Sequence, residues 1–335
     1  MFRLDREEKN QTLNIPLWFS ENGNAVVEKI NALIDNEPEM KFFLSDATRY
    51  GRKLRTALSL QMIKWANWDL DENSREDLLD ILARIEILHS ASCILDDIID
   101  GDKIRRGVPA FYIRNGFNQA LLTVQLMVTI AYRDLKQEEI FENMVKTVRD
   151  TVIGECYDSF LLAEGQKSAS EDTIENYLKK TTPCFEMGHK LAAKFCGRDE
   201  KDCNTAAQYG KLIGAFYQMT NDHYDWFCID ARKRGKMDDE VLLTFNIPMA
   251  YLIEEKKAYA NLLGKRISRS KIAELVKITT DFGIDKKIRK LIDQTKDGIL
   301  NAFPGDSIPE DIHVLLRQID SALFWSYSYE KNQNF

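Results

Sequence analysis

The chain of 335 residues is poor in the residues that interrupt helices. It contains only 7 prolines and 16 glycines, and these are the least favourable residues inside an α-helix. No sustained alternation of apolar and polar residues marks a β-strand, and no run of about 18 apolar residues marks a transmembrane helix. The sequence therefore predicts an all-α protein, with no transmembrane segment and no convincing strand.

Cysteine and histidine are also scarce, and they lack the spacing of metal or redox sites. The 6 cysteines include no C-x-x-C pair, so we interpret them as buried apolar side chains in a reducing compartment. The 4 histidines show no metal-ligand spacing, and neither a G-x-S-x-G motif nor a glycine-rich phosphate loop is present. These absences argue against zinc, disulfide-exchange, serine-hydrolase and P-loop chemistry.

Acidic residues outnumber basic residues by 53 to 46, which gives a formal net charge of −7. A negative protein is repelled by nucleic acid and by anionic membrane surfaces, so we expect no nucleic-acid partner. The first residues, Met1–Glu8, mix charged and apolar side chains and lack the apolar core of a signal peptide. We therefore expect a cytoplasmic protein.

Apolar residues make up 44% of the chain, which is enough to build a sizeable core. We expect a single helical domain over residues 1–335. The apolar residues recur at helical spacing in six segments, which are about 24–66, 75–100, 116–164, 170–196, 203–230 and 240–260.

Two short segments concentrate carboxylates within predicted helices. The first acidic segment, Asp96–Asp100, carries aspartates at 96, 97 and 100, and the second, Asn221–Asp225, carries them at 222 and 225. Residues three and four apart share one face of a helix. Magnesium prefers oxygen ligands and is usually completed by substrate phosphates. Two facing segments of this kind could hold a diphosphate between them.

A lone D-x-x-D pattern is more often a solvated acidic face than a metal site. The residues around the first acidic segment argue otherwise. The preceding helix is apolar almost all round, and charges on a buried helix are costly unless they are paired or bind metal. Arg105 and Arg106 follow directly, and guanidinium groups bind phosphate well.

These residues carry a resemblance to the trans-isoprenyl diphosphate synthases, which include the farnesyl and geranylgeranyl diphosphate synthases. It covers about residues 50–250. Five ordered motifs resemble those of the family, namely Gly51–Thr56, Glu86–His89 with Asp96–Asp100, Arg105–Pro109, Lys180–Thr181 and Tyr217–Asp225. The resemblance implies the class I isoprenoid synthase fold, which is a single large helical bundle around a central cavity. It also implies a homodimer.

In that family, an allylic diphosphate bound through Mg²⁺ ionises to a carbocation that the double bond of isopentenyl diphosphate attacks. The resemblance implies catalytic roles for Asp96, Asp97, Asp100, Arg105, Lys180 and Asp222. It implies metal binding by Asp96, Asp97, Asp100, Asn221, Asp222 and Asp225. The residues that would contact the allylic diphosphate are Arg105, Lys180, Thr181, Gln218 and Lys236, and those that would grip isopentenyl diphosphate are Arg52, Arg55, His89 and Arg106.

The chain departs from the family pattern at several positions. Asn221 stands where the second motif usually begins with aspartate, and an amide oxygen is a weaker ligand than a carboxylate. Lys236 lies one position later than the usual basic residue, and no lysine precedes the Thr244–Pro248 segment. The usual Gly-Asp pair is missing from Leu122–Leu126. We expect the second metal-binding wall to be the weaker one.

Product length depends on the side chains about one helical turn before Asp96. Ala91 and Ser92 occupy these positions, and both are small, whereas the short-chain members of the family tend to place an aromatic ring there. We expect an open floor and products at least as long as geranylgeranyl diphosphate.

Two other functions stay open at the level of the sequence. The chain could be a class I terpene synthase, or a prenyltransferase that uses another acceptor, because the second acidic segment is altered. It could instead be a non-catalytic regulatory subunit of a prenyl synthase. The intact first acidic segment and its two arginines favour an active enzyme.

Overall fold

The computed structural model describes residues 17–159, 171–227 and 240–321. This part of the chain forms fourteen α-helices, which agrees with the predicted all-α class. They are α1 (Leu17–Ile34), α2 (Lys41–Arg49), α3 (Leu54–Trp65), α4 (Glu72–Asp100), α5 (Phe111–Asn115), α6 (Phe117–Tyr132), α7 (Glu138–Ser159), α8 (Glu171–Leu178), α9 (Thr182–Phe195), α10 (Glu200–Phe227), α11 (Ile247–Glu255), α12 (Arg269–Asp281), α13 (Ile284–Asn301) and α14 (Glu310–Ile319). A 3₁₀ helix, Lys257–Leu262, follows α11.

Helix α4 is a 29-residue rod with a defined start and end. Asp71 caps its first turn, because the side chain accepts hydrogen bonds from the backbone N–H groups of Asn73 and Ser74. Gly101 ends it in the left-handed conformation, with φ of 68°. One face of the rod is buried against α1, α6 and α9. The first acidic segment therefore sits at the C-terminal end of a rigid element.

Helix α10 lies close against α9 because glycine replaces a side chain at the crossing. A Cβ atom on Gly210 would lie 2.5 Å from the carbonyl oxygen of Phe185. A larger residue at this position would push the helices apart. The close approach fixes the C-terminal half of α10, which carries the second acidic segment.

The helices that follow residue 260 support this end of α10. The Trp226 indole N–H donates to Thr279 Oγ1 at 3.0 Å. The guanidinium of Arg289 donates to the Tyr224 hydroxyl at 3.1 Å and forms a salt bridge with Asp320. Residues on both sides of Asp225 are therefore fixed by the C-terminal helices.

The expectation of no strand was wrong for two short pairs of strands. Strands β1 (Ile104–Arg105) and β2 (Val108–Pro109) pair antiparallel. Their connecting turn has φ of 53° at Arg106 and 78° at Gly107, which suits a tight two-residue hairpin. Strands β3 (Glu240–Leu242) and β4 (Arg266–Ser268) pair in the same way. Strands of two or three residues are too short to show an alternating pattern.

Four of the six predicted helical spans are interrupted, and four helices were missed. The span 24–66 is broken before Lys41 and before Leu54, near Pro38 and near Gly51, whose φ is 132°. The span 116–164 is broken between α6 and α7, and the span 170–196 is broken between α8 and α9. The span 240–260 begins with β3 and becomes helical only at Ile247. Helices α5, α12, α13 and α14 lie outside the predicted segments.

None of the helices in the described ranges is both long and apolar enough to span a bilayer. The cysteines of these ranges, at 93, 156, 184, 196 and 203, are free thiols. Of these five, Cys203 is buried as predicted, whereas the other four are only half-buried. Cys228 lies outside the described residues.

Candidate active site

A pocket between α3, α4 and the β1–β2 hairpin brings together most of the basic residues that the resemblance implied. We call it the basic pocket. Its lining includes Arg52, Arg55, His89, Asp97, Arg105 and Arg106. His89 and Asp97 lie eight residues apart on α4, and both line this pocket.

His89 is a neutral partner of Arg55. An Arg55 Nη1 atom lies 2.7 Å from His89 Nε2, and since arginine can only donate, Nε2 accepts and the ring proton lies on Nδ1. Burial, and then the positive charge of Arg55, holds the pKa of His89 well below its ordinary value. His89 therefore orients Arg55 without adding a charge of its own. The Arg55 guanidinium also lies 5.1 Å from the centre of the Phe185 ring.

Arg106 is directed into the basic pocket by two unusual backbone positions. It occupies the left-handed region itself, and its Nη1 donates to the Tyr50 carbonyl oxygen at 2.5 Å. A Cβ atom on Gly51 would lie 2.6 Å from that Nη1. Glycine at position 51 thus leaves room for the guanidinium.

Arg105 pairs with two carboxylates of the first acidic segment. Its Nε donates to Asp97 Oδ1 at 2.5 Å and its Nη2 donates to Asp96 Oδ2 at 2.6 Å. The Asp97 side chain is only 2% exposed, and burial raises its pKa to about 6 although Arg105 lowers it. Asp100 is the last residue of α4 and is half-buried.

Asp222, on the second acidic segment, is enclosed by protein donors. Its carboxylate accepts hydrogen bonds from the Tyr177 hydroxyl, from Gln218 Nε2 at 2.7 Å and from the Ile247 backbone N–H at 3.0 Å. Thr181 donates to Gln218 Oε1 at 2.6 Å and extends the network. Burial raises the pKa of Asp222 to about 6. These hydrogen bonds favour the ionised form of Asp222, which holds Gln218 and α10 in place.

The other polar groups of this region lie nearer to solvent. Asn221 is half-buried, and its amide donates to Asp225 Oδ2 at 3.2 Å, while Asp225 itself is exposed. The Lys180 ammonium lies 4.8 Å from the centre of the Tyr177 ring. Its positive charge also lowers the pKa of Asp222, against the larger effect of burial.

The donor set fits a magnesium ion that a substrate completes. Within residues 17–159, 171–227 and 240–321, no three His, Cys, Asp or Glu side chains are close enough to hold a metal by themselves. Mg²⁺ is usually bound by one or two carboxylates together with substrate phosphates and water. Asp97 supplies such oxygens in the lining of the basic pocket, and Asp96 pairs with Arg105, which also lines it.

Sequence reasoning missed three residues of the site. Lys53 and Glu86 line the basic pocket, and Tyr177 binds both Asp222 and Gln218. Glu86 lies three residues before His89, so the helical period could have identified it. Lys53 has φ of 51°, which no sequence pattern revealed.

The positions that the sequence linked to product length differ in burial. Ala91 is 2% exposed and lies in the core, whereas Ser92 is half-buried and its hydroxyl donates to the His89 carbonyl oxygen at 2.9 Å. Neither residue lines the basic pocket. Lys236 lies outside the described residues.

Comparisons with known proteins agree with the geometry. The family model for polyprenyl synthetase matches residues 38–279. Geranylgeranyl pyrophosphate synthase 10, mitochondrial, of Arabidopsis thaliana is 28% identical over an alignment of 251 residues. The alignment covers 68% of this chain and 70% of the relative.

Solved structures share the fold. The octaprenyl pyrophosphate synthase of Helicobacter pylori gives a TM-score of 0.72 at 21% identity and covers 90% of this chain and 99% of its own. A polyprenyl synthase of Caulobacter crescentus, complexed with calcium and isoprenyl diphosphate, gives 0.68 at 16% identity and covers 94% and 97%.

Proposed function

The chain belongs to the polyprenyl synthetase family and is a prenyltransferase, and we propose that it condenses an allylic diphosphate with isopentenyl diphosphate in the presence of Mg²⁺. The observation that carries this proposal is the basic pocket, which joins the arginines of two separate motifs, and His89 of a third, to the first acidic segment. A diphosphate carries several negative charges, and a partly enclosed group of guanidiniums binds such an anion strongly.

The first acidic segment and Arg105 are proposed to bind the allylic diphosphate. Asp96, Asp97 and Asp100 would hold the metal ion. The bound metal ion would neutralise the charge that develops on the departing diphosphate. Arg105 already lies within hydrogen-bond distance of two of these carboxylates, so a small rotation would turn it toward the same diphosphate. Lys180 would supply a further cation from the opposite side.

The basic pocket is proposed to bind isopentenyl diphosphate. Arg52, Arg55 and Arg106 would contact its phosphates, and His89 would hold Arg55 in position. A neutral His89 suits this role because it accepts the Arg55 hydrogen bond while leaving the guanidinium charge unopposed. The two diphosphates would then lie side by side along the C-terminal half of α4.

The second acidic segment is proposed to contribute less to metal binding than the first. Asn221 and Asp225 offer oxygens near solvent, while the oxygens of Asp222 already accept three kinds of donor. Asp222 and Gln218 would chiefly position α10 and Thr181. Lys236 remains a proposed diphosphate contact.

The test is an incubation of the full chain with Mg²⁺ and isopentenyl diphosphate, together with dimethylallyl, geranyl or farnesyl diphosphate in turn. Longer prenyl diphosphates in the chromatogram would support the proposal. A hydrocarbon or alcohol formed without isopentenyl diphosphate would identify a terpene synthase instead. No product from any donor would favour a regulatory subunit.

We also propose a homodimer in the cytoplasm. Large apolar side chains are exposed along two consecutive helices, Phe117, Leu121 and Leu122 on α6 and Phe141, Val145 and Val152 on α7. Exposed apolar surface of this kind usually marks an interface. Cell fractionation with an antibody to the chain would test the location.

A further inference from the structure

Strand β4 carries an exposed arginine on the face of the β3–β4 strand pair that is turned away from the core. Arg266 pairs in register with Leu242 of β3. Ile267, the next residue, is buried, whereas Arg266 and Ser268 on either side of it are exposed. The alternation places Arg266 on the open face of the strand pair.

The guanidinium of Arg266 reaches the end of the first acidic segment. A Cβ atom built on Gly101 would lie 2.6 Å from Arg266 Nη2. Gly101 follows Asp100 directly and has φ of 68°. Glycine at this position therefore allows both the end of α4 and the close approach of the guanidinium.

The same small region contains charges of both signs. Burial raises the pKa of Tyr112, the carboxylates of Asp97 and Asp102 raise it further, and the cations of Lys103 and Arg266 lower it. Arg266 is thus close enough to affect the pKa of the Tyr112 phenol, which the charge of Asp97 also affects. Among the residues that the structure describes, no carboxylate forms a salt bridge with Arg266, so its donors stay available.

We propose that Arg266 binds the diphosphate of the allylic substrate at the end of α4. The inference rests on the proposed function, because it requires a diphosphate at the first acidic segment. A guanidinium can donate two parallel hydrogen bonds to one phosphate. The competing role is structural, since a cation near the C-terminus of a helix also stabilises the helix dipole.

The experiment is calorimetric titration of the full chain with inorganic diphosphate in MgCl₂. It compares wild type with Arg266→Gln and with the matched control Lys265→Gln, which removes the same charge from the neighbouring exposed residue. We expect Arg266→Gln to weaken binding by about tenfold, the effect of losing a hydrogen bond to a charged group. Lys265→Gln should stay within about twofold of wild type, and Arg266→Lys should fall between the two.

Equal diphosphate affinity in wild type and Arg266→Gln would overturn the assignment. So would a lower melting temperature of Arg266→Gln with unchanged affinity, which would mean that Arg266 only caps α4. If wild type binds diphosphate through Arg266 but forms no prenyl diphosphate longer than the donor supplied, the proposed function is contradicted and the Arg266 site is supported. Wild type that binds no diphosphate in Mg²⁺ would overturn both.

Discussion

Asp97 is the most buried aspartate of the first acidic segment, and its carboxylate pairs with Arg105. We expect Asp97→Ala to reduce turnover by more than about a hundredfold, since one ligand of the developing charge is lost. The fold should persist, because the substitution removes a buried carboxylate whose ionisation is costly. Steady-state kinetics and thermal unfolding monitored by circular dichroism would measure both effects. Near-normal turnover in Mg²⁺ would contradict the central role of this segment.

The raised pKa values of Asp97 and Asp222, both about 6, predict an acid limb in the activity profile. Each carboxyl keeps its proton to a higher pH in the folded chain than in the unfolded chain. Activity that needs the ionised forms should therefore fall as the pH drops through about 6. Metal competes with the proton, so this limb should move to lower pH as Mg²⁺ increases. The measurement is kcat/KM between about pH 5 and 8, at roughly every half pH unit and at two Mg²⁺ concentrations.

Asn221 is expected to weaken metal binding by the second acidic segment. Asn221→Asp should lower the Mg²⁺ concentration required for half-maximal activity, because a carboxylate replaces a neutral amide oxygen facing a hard cation. The readout is activity as a function of Mg²⁺ with saturating substrates. Lower activity with unchanged Mg²⁺ dependence would mean that asparagine is adapted to a particular reaction.

Helix α4 also determines the prediction for product length. Ser92 is half-buried, whereas Ala91 is packed in the core. We expect Ser92→Phe to shorten the product, because a ring and a long prenyl tail cannot share a closely packed tunnel. Ala91→Phe should instead destabilise the fold by about 1–3 kcal/mol through overpacking. Chromatography of the dephosphorylated products and thermal unfolding would separate the two effects, and an unchanged product length in Ser92→Phe would place the tunnel elsewhere.

Sequence patterns predicted the elements whose apolar residues repeat over many turns. Helices α4 and α10 were predicted with their acidic segments, because each combines a long periodic run with a local cluster of carboxylates. The break near Gly51 and the β1–β2 hairpin were not predicted, because they depend on single residues with positive φ. The β3–β4 pair was not predicted, because its strands are distant in the chain. Helices α12 to α14 were missed, although their apolar positions recur at helical spacing.

The candidate site shows the same division. Arg52, Arg55, His89, Arg105 and Arg106 of the basic pocket could be identified because each belongs to a short motif. Tyr177 and Arg266 could not, because each approaches an acidic segment only when two separate elements meet. Asp222 could be located from its motif, but its enclosure by Tyr177 and Ile247 depends on how α8 and α11 pack against α10.

At the scale of the whole molecule, the exposed apolar face of α6 and α7 predicts the oligomeric state. Six of the eleven large apolar side chains that are exposed in the described ranges lie on these helices. We expect Leu122→Glu to shift the protein from dimer to monomer, because a charge cannot be buried in an apolar interface without a partner. Light scattering coupled to gel filtration would measure the mass. Phe282→Glu, also at an exposed apolar residue, is the control and should leave the mass unchanged.

The ties between α10 and the C-terminal helices bear on how far this chain can be shortened. The family match ends at residue 279, yet Tyr224 is held by Arg289 and Asp320. A truncated chain that stops at the family boundary would keep every acidic motif and lose the residues that hold one of them in place. The segment that matches the family model is therefore shorter than the segment that must fold to hold the second acidic segment in place.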